Sequence, residues 1–313
     1  MTSPAGISGY IGFKAEETWG TPVVVDTFHE GFTGGGQVNE IARIPSAGLR
    51  AGRRVVSIRK PGGKTVGGAG TFELFSEPMV ALLKQMFGAV ATTGAGPYTH
   101  VATPGDLTGK SMTVQIVKPD SAGNLRAFTY PGTKVGQWTL AATVGELATV
   151  ELEFSSKDEV LDTDAATASY GTGSPFTFIE GAVSVAGTPV ATCTAVSLVG
   201  ANTLRIDGHR IGSALIREQL ENGMREYTGE LTTEFESLVA YNRFVDASEV
   251  ALTLTFDNGT DSLTVTCNVM FDGSTPELSG PELLEQTLPF VCLSATSDAA
   301  AVTATLVNGE ANA

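Results

Sequence analysis

Gly70-Thr71-Phe72-Glu73-Leu74-Phe75-Ser76-Glu77 leads into an apolar run from Met79 to Phe87, and the chain does nearly the same again at an offset of 159 (229 − 70 = 159). There it reads Gly229-Glu230-Leu231-Thr232-Thr233-Glu234-Phe235-Glu236-Ser237, then Leu238 to Val245. Each copy passes from strand-like text to an apolar run with helical spacing. Upstream, Val38-Asn39-Glu40-Ile41-Ala42-Arg43-Ile44 with Leu49-Arg50 is echoed by Cys193-Thr194-Ala195-Val196-Ser197-Leu198-Val199 with Leu204-Arg205. Self-similarity at about half of the 313 residues predicts two similar β units in tandem. Two similar surfaces in one chain point to self-assembly before catalysis.

Residues 1–36 are Gly-rich and read as an irregular N-terminal arm, with a turn at Thr18-Trp19-Gly20-Thr21-Pro22. The first unit, 37–160, is expected to hold strands at Val38–Ile44 and Gly70–Phe75, joined by a long Gly- and Arg-rich connection. A helix over Met79–Phe87 follows, with Ser76 as N-cap, Pro78 in its first turn and Gly88 at its end. Period-two alternation then predicts strands at Met112–Val117, Gln137–Val144 and Thr149–Phe154. Residues 161–174, rich in Thr, Asp, Ala, Ser and Gly, read as a linker. The second unit, 175–313 with its C-terminal tail, carries an Asp257-Asn258-Gly259 hairpin signal between Val250–Phe256 and Ser262–Asn268. Leu288–Ser294 and Ala301–Leu306 close it. Many strands and one or two helices predict a mainly β protein: two β-sandwich or barrel units, each flanked by a helix.

Charged residues make up 17% and glycine is frequent (37), which suits short strands joined by tight turns. Lys plus Arg number 19 against 34 Asp plus Glu, a net charge of −15 that repels a nucleic-acid backbone. A chain of this length buries a core without disulfides or metals. Cys193, Cys267 and Cys292 have no metal-ligand spacing and sit in apolar strand text, so they are expected as reduced, buried thiols. The N-terminus shows no secretory signal, and no run reaches the roughly 18 apolar residues of a membrane helix.

Catalytic patterns are weak. Gly105-Asp106-Leu107-Thr108-Gly109-Lys110-Ser111 resembles a phosphate loop, but only three residues separate its glycines and a strand follows it. His29, His100 and His209 are far apart, so neither a metal site nor a cofactor is expected. No Gly-x-Ser-x-Gly elbow is present. Asp158, Glu159, Asp162 and Asp164 lack the spacing of a calcium loop and read as solvated linker.

One charge feature runs against the acidic background. Arg43, Arg50, Arg53, Arg54, Arg59, Lys60 and Lys64 crowd into the first unit's connection, and Arg205, Arg210, Arg217 and Arg225 repeat this more weakly. Without interleaved aromatics, nucleic-acid stacking is disfavoured. The preferred reading is an electrostatic peg reaching an acidic neighbour of the same protein. Arg50, Arg53, Arg54, Arg59, Lys60 and Lys64 are therefore the candidate subunit or inter-ring contacts. A patch meeting a different patch on the next copy builds rings or filaments.

Gly12-Phe13-Lys14-Ala15-Glu16-Glu17-Thr18-Trp19-Gly20-Thr21-Pro22-Val23, together with Leu49-Arg50-Ala51-Gly52-Arg53-Arg54, resembles the tail tube (major tail) proteins of long non-contractile-tailed phages, especially of actinobacteria. Tyr98-Thr99-His100-Val101 and the Gly132-x-Lys134-Val135 entry to the Trp138 strand are similar to that family too. The resemblance covers most of the chain. It implies a β-sandwich-plus-helix domain assembled into stacked rings around a channel for DNA, with no membrane and other tail proteins at the tube ends. If six tube domains surround the channel, two units per chain give a trimer with pseudo-six-fold symmetry; one larger domain gives a hexamer. DNA passes without specific binding, helped by an acidic or neutral lumen. Two readings compete: a virion surface or receptor-binding β protein, against which an aromatic content of 7% argues, and a glycosidase with a carboxylate pair across a cleft.

Overall fold

The computed structural model describes residues 6–48, 52, 54–56, 58–171, 173–235, 238–273, 284–294 and 296–311. The first half runs β1 (Tyr10–Ala15), β2 (Thr27–Phe28), β3 (Phe32–Pro45), β4 (Arg59–Glu73), α1 (Met79–Phe87), β5 (Gly88–Thr93), β6 (Tyr98–Pro104), β7 (Met112–Pro119), β8 (Leu125–Thr143), β9 (Thr149–Ser156) and β10 (Val160–Thr163). The second runs β11 (Gly181–Val185), β12 (Thr188–Pro189), β13 (Cys193–Ala201), β14 (Glu226–Glu234), α2 (Leu238–Val245), β15 (Glu249–Asp257), β16 (Ser262–Phe271), β17 (Glu285–Cys292), α3 (Asp298–Ala301) and β18 (Val302–Asn308). The chain is mainly β, as the alternation of its sequence predicts.

Strand pairing repeats along the chain. The antiparallel ladders β1–β2, β1–β7, β3–β4 and β4–β9 recur as β11–β12, β11–β15, β13–β14 and β14–β17. Likewise β7–β8, β8–β9 and β8–β10 recur as β15–β16, β16–β17 and β16–β18. The β5–β6 hairpin is extra to the first half, and β6 pairs with β18 from the second. Gly70 opposes Gly35 and Gly229 opposes Leu198, so the first strands of the two ribbons correspond at an offset of 163 (198 − 35). The upstream echo sits at 155 (193 − 38), eight residues away. An alternating pattern matches itself equally well after any even slip, which is why the echo misplaces the register.

A seven-stranded sheet, ordered β3-β4-β9-β8-β13-β14-β17, crosses both halves. Its central seam is Gln137–Thr143 of β8 running antiparallel to Ala195–Ala201 of β13. Behind it lie β5-β6-β18-β16-β15-β11-β12 and β2-β1-β7-β8-β10. β8 serves both layers, and the register shift between Val135 and Gln137 is where it bends from one to the other. Between the layers Trp138 packs 5.2 Å from Phe87 and 6.2 Å from Tyr227, tying α1 to β8 and β14. Gly200 opposes Trp138 across the seam, and a Cβ there would lie 2.3 Å from the indole, so only glycine fits.

Helix α1 has an amphipathic sequence but a buried setting; Lys84 is its exposed residue. Gly88 ends it at φ 91°, its N–H donating to the Lys84 carbonyl. Ser76 does not cap the helix as expected: Pro78 occupies the cap position, and the Ser76 hydroxyl donates to the Asp261 carboxylate instead.

Residues 6–36 are more ordered than their glycine content suggests. β1 pairs with β7 along its whole length, and Ile11 and Phe13 are buried. The Glu16 carboxylate accepts from Gly20 N–H (2.7 Å), Ser111 Oγ (2.6 Å), Thr113 Oγ1 (2.8 Å) and Gly132 N–H (2.8 Å). All three cysteines are free; Cys267 and Cys292 are buried and Cys193 half-buried. No helix among the described residues is long and apolar enough to cross a membrane.

Candidate functional site

One face of the seven-stranded sheet packs inward through Phe72, Val150, Leu140, Leu198 and Phe290. Its other face consists of small and acidic side chains. The pleat sends alternate residues to opposite sides, and the ladders set these residues in rows across the strands. Thr71, Glu151, Thr139, Val199 and Thr228 form one row, and Ala69, Glu153, Gln137, Ala201 and Glu226 the next. Glu73, Glu230 and the directly opposed pair Glu234 and Glu285 complete the acidic set. From β4 Ala69 to β17 this face carries no Lys or Arg among its described residues, and none of its carboxylates enters an ion pair there. Like charges opposed across a ladder destabilise a sheet, so this face holds a negative field at some cost to folding.

The ends of this sheet differ. β3 pairs only with β4 among the described residues, whereas its counterpart β13 pairs with both β14 and β8. At the far end, the ladder from β16 covers only Phe290–Cys292 of β17. β3 and β4 continue as a two-stranded ribbon as far as Pro45 opposite Arg59. Val38, Ile44, Val55 and Val56 are exposed along it and at its tip.

The basic candidates separate on this ribbon. Arg50 and Arg53 lie outside the described residues. Arg54, Arg59 and Lys60 are exposed at its tip and edge. Lys64 is half-buried, its ammonium held by the Asp158 carboxylate and the Glu159 carbonyl within the same chain.

The second ribbon behaves differently. β13 and β14 stop pairing at Ala201 and Glu226, and residues 202–225 fold over the first half. Asn202 Nδ2 donates to the Met86 (3.1 Å) and Val135 (2.9 Å) carbonyls, and Arg225 donates to the Phe87 carbonyl at 2.8 Å. Glu218 pairs with buried Lys134 at 2.8 Å, Gln219 reaches Ser155, and the Lys64 N–H donates to the Ala214 carbonyl at 2.7 Å. Sequence reasoning grouped Arg225 with a basic loop; its role as an anchor on the end of α1 had no local signal.

The other motifs are structural in setting. Lys110 donates to the Gly88 and Asp106 carbonyls and Ser111 to Glu16, so the phosphate-loop look-alike is an entry into β7. His100 is buried between Thr92, Asn308 and the Glu310 carbonyl. Burial lowers the His29 pKa to about 4, and its Nδ1 accepts from the Gly31 N–H.

The comparison with curated proteins returns no match. A family model described as phage tail tube protein matches residues 6–292, nearly the whole chain and both ribbons. On that match, the chain belongs to the phage tail tube protein family, a structural component of the tail.

Proposed function

We propose that the chain assembles into rings that stack into a hollow tube, with the acidic sheet face lining the channel through which phage DNA is ejected. The observation that carries this reading is that face: small side chains, Glu73, Glu151, Glu153, Glu226, Glu230, Glu234 and Glu285, and no cation among its described residues from Ala69 to β17. Duplex DNA carries a charge about every 1.7 Å, and a cationic wall would hold it by counterion release. A carboxylate wall repels it and leaves it free to slide. No catalytic step is needed.

The recurring pairing pattern supports two tube-type units in each chain, the second over 175–313 and the first reaching back from 37–160 to include β1 and β2. The β8–β13 seam then serves as the contact between neighbouring units, made here within one polypeptide. The same kind of contact between chains satisfies the bare edge of β3 by strand addition. Three chains close a ring of six units. Arg50, Arg53, Arg54, Arg59, Lys60 and Lys64 remain the proposed subunit or inter-ring contacts; of the described ones, Arg54, Arg59 and Lys60 lie at the tip and edge of the ribbon that reaches across the chain boundary, and Lys64 fixes its base. Other tail proteins meet the tube at its ends, in a virion tail built in the host cytoplasm.

Negative-stain microscopy with mass photometry of the purified chain tests this. Rings or hollow tubes whose smallest closed unit is a trimer are expected. Hexameric rings would keep the tube and remove the two-unit geometry. Compact particles that never stack, even when seeded with tail tips, would overturn the reading.

A further inference from the structure

Within one chain, the second ribbon closes over the end of the first helix. Asn202 and Arg225 bond the carbonyls of Met86 and Phe87, and the Tyr227 ring stacks on Phe87 at 6.5 Å. The β5–β6 hairpin packs on α1 as well, alongside Trp138 of β8. Helix α2 stands at the matching place in the second half, between β14 and β15, and has no such hairpin after it. Its Leu238 and Val245 are 60% and 58% exposed, against 9% or less for every apolar residue of α1. The first ribbon, meanwhile, meets Ala214 and His209 near its base but leaves Ile44, Val55 and Val56 exposed, with no helix end against its tip among the described residues. Among the described residues, one apolar ribbon lacks a helix end, and one helix end lacks a ribbon.

Charge matches the same pairing. Arg54, Arg59 and Lys60 are exposed on the ribbon. Asp246, Glu249 and Asp272 are exposed around the C-terminal end of α2, where Val245 is the last helical residue and Glu249 opposes Met270 across β15–β16. A basic apolar tip and an acidic apolar seat on one chain call for a contact between unlike patches. Unless two copies exchange tips reciprocally, such a contact runs head to tail and closes into a ring or continues as a filament.

We propose that the tip of the β3–β4 ribbon seats on the C-terminal end of α2 in a second copy of this chain, on the face made by Val245, Asp246, Glu249 and Asp272, repeating between chains the closure that residues 202–225 make within one. The inference rests on the ring reading above and names the surfaces that meet. Aliphatic burial supplies attraction, and the opposed charges fix partner and direction. Strand addition at β3 brings the two chains into line, and the ribbon locks them.

The test uses full-length chains bearing Ile44→Asp (tip variant) or Val245→Asp (seat variant), both at exposed positions, with circular dichroism and melting curves to show an unchanged fold. Each variant alone is expected to lose at least tenfold of the ring fraction read by mass photometry. Mixed together they are expected to form one-to-one pairs, because each retains the surface the other lacks. Pair formation does not require tubes, so its absence overturns the docking whether or not wild-type chains assemble. Pairs without wild-type rings or tubes leave the docking standing and remove the tube reading. Rings that form normally from either variant, or single rings that fail only to stack, overturn the docking while the tube reading stands.

Discussion

Lys134 of β8 and Glu218 of the folded-over loop lie 2.8 Å apart, and the Lys134 side chain is 1% exposed. The ammonium also donates to the Leu107 carbonyl at 2.7 Å, and Glu218 accepts from the Gly109 N–H as well. This pair pins the second half's loop to the first half's strand. Its two members are not equivalent, because Glu218 is 24% exposed and Lys134 is enclosed.

Removing the acid should therefore hurt more than removing the base. Glu218→Ala leaves a buried ammonium with one carbonyl, at a cost of about 3 kcal/mol, the low end for a broken buried pair. Lys134→Met exchanges the charge for an apolar side chain, and Glu218 keeps its contact with water and the Gly109 N–H. Urea unfolding of both variants should rank Glu218→Ala below Lys134→Met. The reverse order would show that the pair does not carry the loop.

Glu16 makes a second prediction. Its carboxylate satisfies two backbone N–H groups and two hydroxyls at the base of β1, and Glu16 is 8% exposed. Glu16→Ala strands those donors and should cost about 2–4 kcal/mol. Deleting residues 1–9 should leave the melting transition in place. Deleting 1–16 also removes Ile11 and Phe13 from the core and should unfold the first half. A truncated 17–313 chain that melts normally would sink this and restore the expectation of a free arm.

That segment shows where sequence reading reaches its limit. β7, β9, α1, α2, β15 and β16 are legible because each carries its own period, and the Asp257-Asn258-Gly259 turn marks its hairpin. β1 and the start of β4 are not, because Gly12, Gly62, Gly63, Gly67 and Gly68 interrupt alternation where neighbouring atoms leave no room for side chains. A Cβ at Gly12 would lie 2.7 Å from the Phe28 ring, and one at Gly68 2.0 Å from the Gly36 carbonyl. The acidic face is half legible: Glu151 and Glu153 alternate visibly, but the rows they form depend on ladders between distant strands. The folded-over loop has no signal at all, since its anchors are carbonyls of α1 and β8 and the side chains of Lys134 and Ser155, all far away in sequence.

His29 should make stability depend on pH. Burial holds its folded pKa near 4, against an ordinary value of 6.5, and its ring lies 4.9 Å from Phe72. Between roughly pH 6.5 and 4 the unfolded chain binds a proton that the folded chain does not, so stability falls as pH falls across that window. The full effect is about 3 kcal/mol, reached near pH 4. His29→Asn keeps an acceptor for the Gly31 N–H and cannot titrate there, so it should flatten that part of the curve. Parallel slopes for the two proteins between pH 6.5 and 4 would remove His29 as the cause.

The channel reading makes the sharpest demand on the acidic face. Glu151, Glu153 and Glu230 sit on its surface rather than in its packing, so Glu151→Lys, Glu153→Lys and Glu230→Lys together should leave folding and tube assembly intact. The triple variant changes the wall by six charge units per chain and turns repulsion of a phosphate backbone into attraction, which grows as salt falls. Tubes of the variant should retain duplex DNA in low salt and release it in high salt, and phage carrying it should adsorb normally but eject DNA slowly. A receptor-binding protein would show the opposite pattern, with adsorption lost and ejection unaffected in the particles that attach. If the variant assembles, binds no DNA at any salt and ejects at the normal rate, this face does not line the channel, and the Glu234–Glu285 opposition across β14 and β17 needs another explanation.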